Sequence, residues 1–255
     1  METSHTTFIG RGPRLLLLHG IGGSATAWKK QIERLSGDFS CLAPDLPGYG
    51  DAPTAQGDGL RPIVQATADL LAGEPAHVLG VSFGALLALT LARHHPKLVR
   101  SLVLADATLG RAHMAAQARE QWLEKRRSLS TSLQEVSLER AAEIASPAAS
   151  PQVIDEIARH MRRARPEGYM AVANAIASTD ARPWLPAITQ PTLVLCGEDD
   201  RVTGPEVSRI LVDALPHASL SIVPRSGHAP HIEQPDEFAR VVREFLLEPR
   251  SLRPT

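Results

Sequence analysis

The chain has 255 residues, 43% of them hydrophobic, which suits one large domain or a domain carrying an insertion. Its 27 basic side chains nearly balance 28 acidic ones, for a net charge of −1, and this argues against a polyanionic partner such as DNA or RNA. The apolar run at residues 15–18 is far too short to span a membrane, and polar residues 1–10 do not read as a signal peptide, so a cytoplasmic protein without a membrane partner is expected.

Short apolar runs alternate with longer helical patterns, the signature of parallel βαβ units. A first strand is expected at 15–19, followed by the glycine-rich turn His19-Gly20-Ile21-Gly22-Gly23-Ser24 and a helix over 27–35. A strand at 39–43, the turn Asp45-Leu46-Pro47-Gly48-Tyr49-Gly50 and a helix over 62–71 come next. The strand 77–81 then runs into Gly80-Val81-Ser82-Phe83-Gly84 and a helix over 83–94, and a further strand follows at 101–105. From 107 to 185 no strand pattern is found, only helical patterns cut by Pro147, Pro151, Pro166 and Pro183, which reads as a helical lid inserted into the sheet fold. The alternation returns with strand 192–196, helix 205–215, strand 219–223 and helix 235–247, and ends in a tail, 248–255, expected to fray. The only cysteines, Cys41 and Cys196, lie in or beside apolar runs and are expected to be buried thiols, a disulfide between them being left open.

The expected architecture is therefore an α/β fold with a mostly parallel, doubly wound sheet. Residues 1–106 and 186–255 would form its core and 107–185 the lid. The strongest chemical signal is the strand–turn–helix around Ser82. A sharp turn there lifts the serine oxygen clear of the sheet, forces small residues two positions away on each side, and points a helix N-terminus at the reacting centre. A serine hydroxyl is a weak nucleophile and needs a base oriented by a third group. His228 follows one strand, in Pro224-Arg225-Ser226-Gly227-His228, and Asp200 follows another, in Gly197-Glu198-Asp199-Asp200, so acid and base both fall at C-terminal strand ends. Asp106, at the end of strand 101–105, is a second candidate acid. The backbone N–H groups of Phe83 and Ile21, with Gly22 as the fallback for the second, are candidates for an oxyanion hole. His19 is read as a brace of its loop.

These motifs together, with Gly227-His228-Ala229-Pro230-His231-Ile232-Glu233-Gln234-Pro235, resemble the α/β-hydrolase superfamily over nearly the whole chain outside the lid. The resemblance implies Ser82 as nucleophile, Asp200 as acid and His228 as base, with no metal and no organic cofactor. Ala105-Asp106-Ala107-Thr108 and Pro166-Glu167-Gly168-Tyr169 are similar to the 3-oxoadipate enol-lactonase and small carboxylesterase branch. The implied activity is hydrolysis of a small carboxylic ester or lactone. C–C bond hydrolases acting on ring-cleavage products, cofactor-free perhydrolases, acyltransferases and a non-catalytic ligand receptor on the same fold stay open, as does a homo-oligomer. Within the lid, Trp122, Met161, Met170 and Trp184 are expected to line an apolar pocket or pack lid on core, and the basic run 159–165 to form a solvated face.

Overall fold

A computed structural model of the chain describes residues 8–248 except 58, and residues 134 and 136 by their backbone alone. Residues 1–7 and the tail from 249 onward, for which a polar leader and fraying were expected, lie outside the described residues. Seven strands form one sheet: β1 (Ile9–Gly10), β2 (Arg14–Leu18), β3 (Ser40–Leu42), β4 (Ala76–Val81), β5 (Val99–Ala105), β6 (Thr192–Gly197) and β7 (Ala218–Val223), in the order β1-β3-β2-β4-β5-β6-β7. All neighbours are parallel except β1, which pairs antiparallel with β3 at the edge. The six parallel strands fall where the apolar runs place them, within a few residues. Two-residue, exposed β1 leaves no such run to read.

The sheet is doubly wound because alternate strand residues feed two separate cores. Leu16, Leu18, Val78, Leu102, Leu104 and Val194 face α2 (Arg61–Asp69), α3 (Phe83–His94) and α7 (Gly204–Ala214). Leu15, Leu17, Leu79, Val103, Leu193 and Leu195 face the opposite layer, built from Trp28, α1 (Lys29–Leu35) and α9 (Pro235–Leu247). Burial on both faces explains the uninterrupted apolar character of β4 and β6, every residue of which is buried. Cys41 and Cys196 are free and buried, and burial raises their thiols to about 12 and about 11.

Between β5 and β6 the described residues contain helices and no strand: α4 (Ala116–Ile144), α5 (Pro151–Met161) and α6 (Pro166–Ser178). Pro151 and Pro166 each open a helix, where a missing N–H costs nothing. Ser150 caps α5 by accepting from the Val153 N–H. Two seams fasten these helices to the core. At one, Arg165 donates to the carbonyls of Gly48 and Ala52, and a Cβ on Gly168 would lie 2.1 Å from the Gly48 oxygen, so two backbones meet there without side chains between them. At the other, the end of α4 meets the loop that carries His228, which is followed by the short α8 (Pro230–Glu233).

The chain leaves β2 for β3 on one side and later returns to place β4 on the other, with Leu18 opposite Gly80. The order of strands reverses between β2 and β4, and a crevice at such a reversal is where open parallel sheets hold their ligands.

Candidate active site

Ser82 stands at that reversal, between β4 and α3, with φ +56° and ψ −113°. A non-glycine residue in that conformation is strained, and its neighbours over-determine it. The Ser82 N–H donates to the Ala105 carbonyl at 2.9 Å. A Cβ on Gly80 would fall 2.1 Å from the Gly84 oxygen, and one on Gly84 would fall 2.1 Å from the Leu18 oxygen. Both flanking glycines are thus required by close backbone approach, and the turn holds the serine at the head of α3. Phe83 is the first residue of α3, so its N–H has no acceptor within the helix. On the neighbouring strand end, the turn closed by Gly23 N–H to Gly20 carbonyl at 2.9 Å contains Ile21. Its Gly20 lies against the serine, with a would-be Cβ 3.2 Å from Ser82 Cβ.

The glycine turn is braced from below. His19 accepts from the Leu46 N–H on Nε2 at 3.0 Å and contacts the Gly20 carbonyl through Nδ1 at 2.9 Å, which fixes the proton on Nδ1. Complete burial keeps this ring below the ordinary histidine value and therefore neutral. Asp45 Oδ1 accepts from the Ala25 N–H at 2.7 Å, and Tyr49 donates its hydroxyl to the Ile21 carbonyl at 2.6 Å.

His228 faces the same cavity as Ser82, and its Nδ1 meets Asp200 Oδ1 at 3.1 Å. The Ser82 hydroxyl makes no hydrogen bond among the described residues. Asp200 also accepts from the Val202 N–H at 2.8 Å, the Thr203 hydroxyl at 2.6 Å and the Gly204 N–H at 3.2 Å. Burial pushes its carboxyl upward, but His228 and these donors outweigh burial and hold it well below the usual carboxylate range. Asp106, the residue after β5, takes a left-handed conformation, φ +43°, and is buried. Its Oδ1 accepts from the Gly197 N–H at 2.8 Å and its Oδ2 has no partner. Burial and the Asp200 charge raise its carboxyl well above the ordinary value, opposite to the downward shift of Asp200.

Asp106, Asp200 and His228 each bring a ligand-type atom within 4.8 Å of the others. A cation there would have to displace the donors that already occupy Asp200, and the donor set does not fit one.

Sequence reasoning did not single out Glu233. Its carboxylate accepts from the N–H groups of Ser146, Gly227 and Ala229 at 2.7, 3.0 and 3.2 Å, tying the His228 loop to the segment after α4. The sequence signal available was its place five residues beyond the histidine. The His228 N–H itself donates to the Ile144 carbonyl at 2.8 Å, so a residue of the helical insertion holds the histidine backbone.

The cavity above Ser82 has a volume of about 130 Å³. Trp122 and Met161 line it. Met170 does not: it sits one residue beyond Tyr169, which does face the cavity, and the 100° turn of α6 carries it against the core instead. Trp184 likewise packs on the core and edge-on to His94. The basic run 159–165 is not simply a solvated face. His160 is buried against Ser24 and Thr26, with burial lowering its ring to about 4, and Arg165 forms the seam to Gly48. The cationic walls of the cavity are Arg111, Arg126 and Arg140, none of which the sequence reading selected.

A family model described as the alpha/beta hydrolase fold matches residues 13–235. A pimeloyl-[acyl-carrier protein] methyl ester esterase of Vibrio vulnificus is 31% identical over 248 residues, covering 92% of this chain and 95% of that protein. A 3-oxoadipate enol-lactonase 2 of Acinetobacter baylyi is 29% identical, covering 92% and 88%. Among solved structures, a thermophilic esterase from Thermogutta terrifontis, with malate bound, superposes with a TM-score of 0.84 at 28% identity, covering 94% of this chain and 91% of that one.

Proposed function

This chain belongs to the α/β-hydrolase fold family, and from that premise we propose that it cleaves a small carboxylic ester or lactone through an acyl-enzyme on Ser82. Hydrolysis of ester bonds is the activity its esterase and lactonase relatives share. The observation that carries the assignment to these residues is the Asp200–His228 hydrogen bond at 3.1 Å, opening onto the cavity where strained Ser82 stands.

Ionised Asp200 accepts from Nδ1–H of His228 and so leaves Nε2 unprotonated, the form able to take a proton. Nε2 accepts the Ser82 hydroxyl proton as Oγ attacks the ester carbonyl. The N–H groups of Phe83 and Ile21 hold the oxyanion, each worth about 3–4 kcal/mol in a comparable site. The imidazolium returns its proton to the leaving alkoxide. Water, deprotonated by His228, then releases the acid, and in a lactone the leaving hydroxyl stays tethered until that step. Residues 107–185 act as the lid that shapes the cavity and keeps water from it.

The test is Ser82→Ala assayed on p-nitrophenyl acetate, with a fluorophosphonate probe on the unaltered protein. Turnover should fall by at least about 10³-fold with the fold intact, and the probe should modify the Ser82 peptide. Near-normal turnover, or labelling elsewhere, would remove the serine from its role.

A further inference from the structure

Charge in the cavity is one-sided. Its walls include three arginines and, among the described residues, no aspartate or glutamate. Arg140 is neutralised by Glu143 at 2.6 Å, but Arg111 and Arg126 have no carboxylate within ion-pair distance among the described residues. Instead both guanidinium groups lie on one indole, Arg111 4.9 Å and Arg126 4.8 Å from the Trp122 ring. Cation–π contact offsets part of their mutual repulsion without supplying an acceptor.

The acceptors within reach are weak ones. Arg111 Nη1 donates to the Met114 thioether at 3.2 Å, and Arg126 Nη1 to the Tyr169 hydroxyl at 3.5 Å. Arg126 Nε and Trp122 Nε1, both shielded from water, find no acceptor at all. Burial and the neighbouring Arg126 charge lower Arg111 from its ordinary value, a sign that the pair is strained as it stands. Local structure builds this arrangement. Trp122 and Arg126 are one turn apart on α4, and the Arg111 N–H is anchored to the Ile176 carbonyl of α6 at 2.8 Å. Two planar donor groups on a rigid platform, without an anion, form a receptor for one, since guanidinium geometry matches a carboxylate.

We propose that the ester this protein cleaves carries a free carboxylate, held by Arg111 and Arg126 against Trp122 while the ester carbonyl lies at Ser82. The substrate class is the half-ester of a short dicarboxylic acid. This rests on the ester-hydrolase reading above and specifies its substrate.

The experiment compares monomethyl glutarate with dimethyl glutarate on the full chain, alongside calorimetric binding of free glutarate. The unaltered protein should show the higher kcat/KM on the half-ester, and that advantage should shrink as NaCl is raised, because screening weakens the ion pair. Arg111→Gln and Arg126→Gln should each reduce the half-ester to diester ratio by at least about tenfold, with Arg→Lys at either position falling between. Glutarate should bind the unaltered protein and bind either Gln variant more weakly. If neither ester is cleaved while glutarate still binds through these arginines, the hydrolase reading fails and the anion site stands. If esters are cleaved with no charge preference, no salt effect and no glutarate binding, the hydrolase reading stands and the anion site is overturned. The preference and salt effect of the unaltered protein decide the matter even if a variant does not fold.

Discussion

Asp106 and Asp200 approach within 4.8 Å beside His228, yet only Asp200 is ringed by hydrogen-bond donors. Two adjacent buried carboxyls cannot both ionise cheaply, and the environment separates them: donors and the imidazole stabilise charge on Asp200, while burial favours the neutral form of Asp106.

Asp200→Asn and Asp106→Asn should consequently differ sharply. An amide at 200 carries no charge to stabilise the imidazolium, and its NH2 can donate to Nδ1 and favour the wrong tautomer; losses of up to about 10⁴-fold in kcat are known for a comparable triad. At 106 the amide replaces a neutral acid of the same shape, so the loss should stay within about tenfold. Steady-state rates on p-nitrophenyl acetate decide it; a larger loss at 106 would transfer the acid role to the end of β5.

Asp106 should also leave a pH signature in stability. Its folded value is raised, so the folded protein keeps a proton that the unfolded chain releases. The stability it contributes is complete below the ordinary carboxylate range and is lost as pH rises through the raised folded value. Asp106→Asn removes this titration. The variant's Tm relative to the unaltered protein should therefore climb as pH rises above the ordinary carboxylate range. A flat or falling difference in thermal melts would mean that Asp106 is ionised when folded.

Glu233 predicts a coupled loss of stability and rate. Glu233→Ala strands three N–H donors of the His228 loop, which should cost about 2 kcal/mol or more. That corresponds to a drop of roughly 4–8 °C in Tm for a domain of this size. Because the loop carries His228, kcat should fall more than KM changes, and Glu233→Gln, which keeps one carbonyl acceptor, should recover part of both. A variant with normal Tm and normal kcat would show the three bonds to be incidental.

Gly84→Ala should be more damaging than an ordinary helix glycine replacement, which stabilises a helix. The new methyl would lie 2.1 Å from the Leu18 oxygen, on the strand that carries the glycine turn. Separating α3 from β2 should cost about 3 kcal/mol or more, measurable as a denaturation midpoint shifted down at unchanged slope. A stabilised variant would mean that the turn tolerates a looser geometry.

What the sequence made legible follows from where the physical signal was dense. Strands buried on both faces show as apolar runs, so β2, β4 and β6 were readable, and Ser82 was readable because two glycines and a strand–helix junction coincide there. Asp200 against Asp106 was a choice between two strand ends with the same local pattern. What separates them is Val202, Thr203, Gly204 and His228 converging on one carboxylate, a three-dimensional fact. Arg126 was missed for a different reason. An arginine in a helix of low mean hydropathy looks like solvated surface, and only the folding of α4 over the sheet turns Arg126 inward. Met170 went the other way, since identity suggests a lining residue and helical phase denies it.

The stitching of the insertion to the histidine loop bears on how this molecule can be rebuilt. The Ile144 carbonyl holds the His228 N–H, Ser146 donates its hydroxyl to Asp199 at 2.6 Å, and its N–H reaches Glu233. The helices over the sheet are therefore not an interchangeable cassette. A chimaera that imports a foreign cap, or trims this one to open the cavity, keeps a placed imidazole only if the 144–146 segment travels with the histidine loop it grips. Recombination breakpoints belong before that segment, within α4, rather than at the strand ends where the insertion begins and closes.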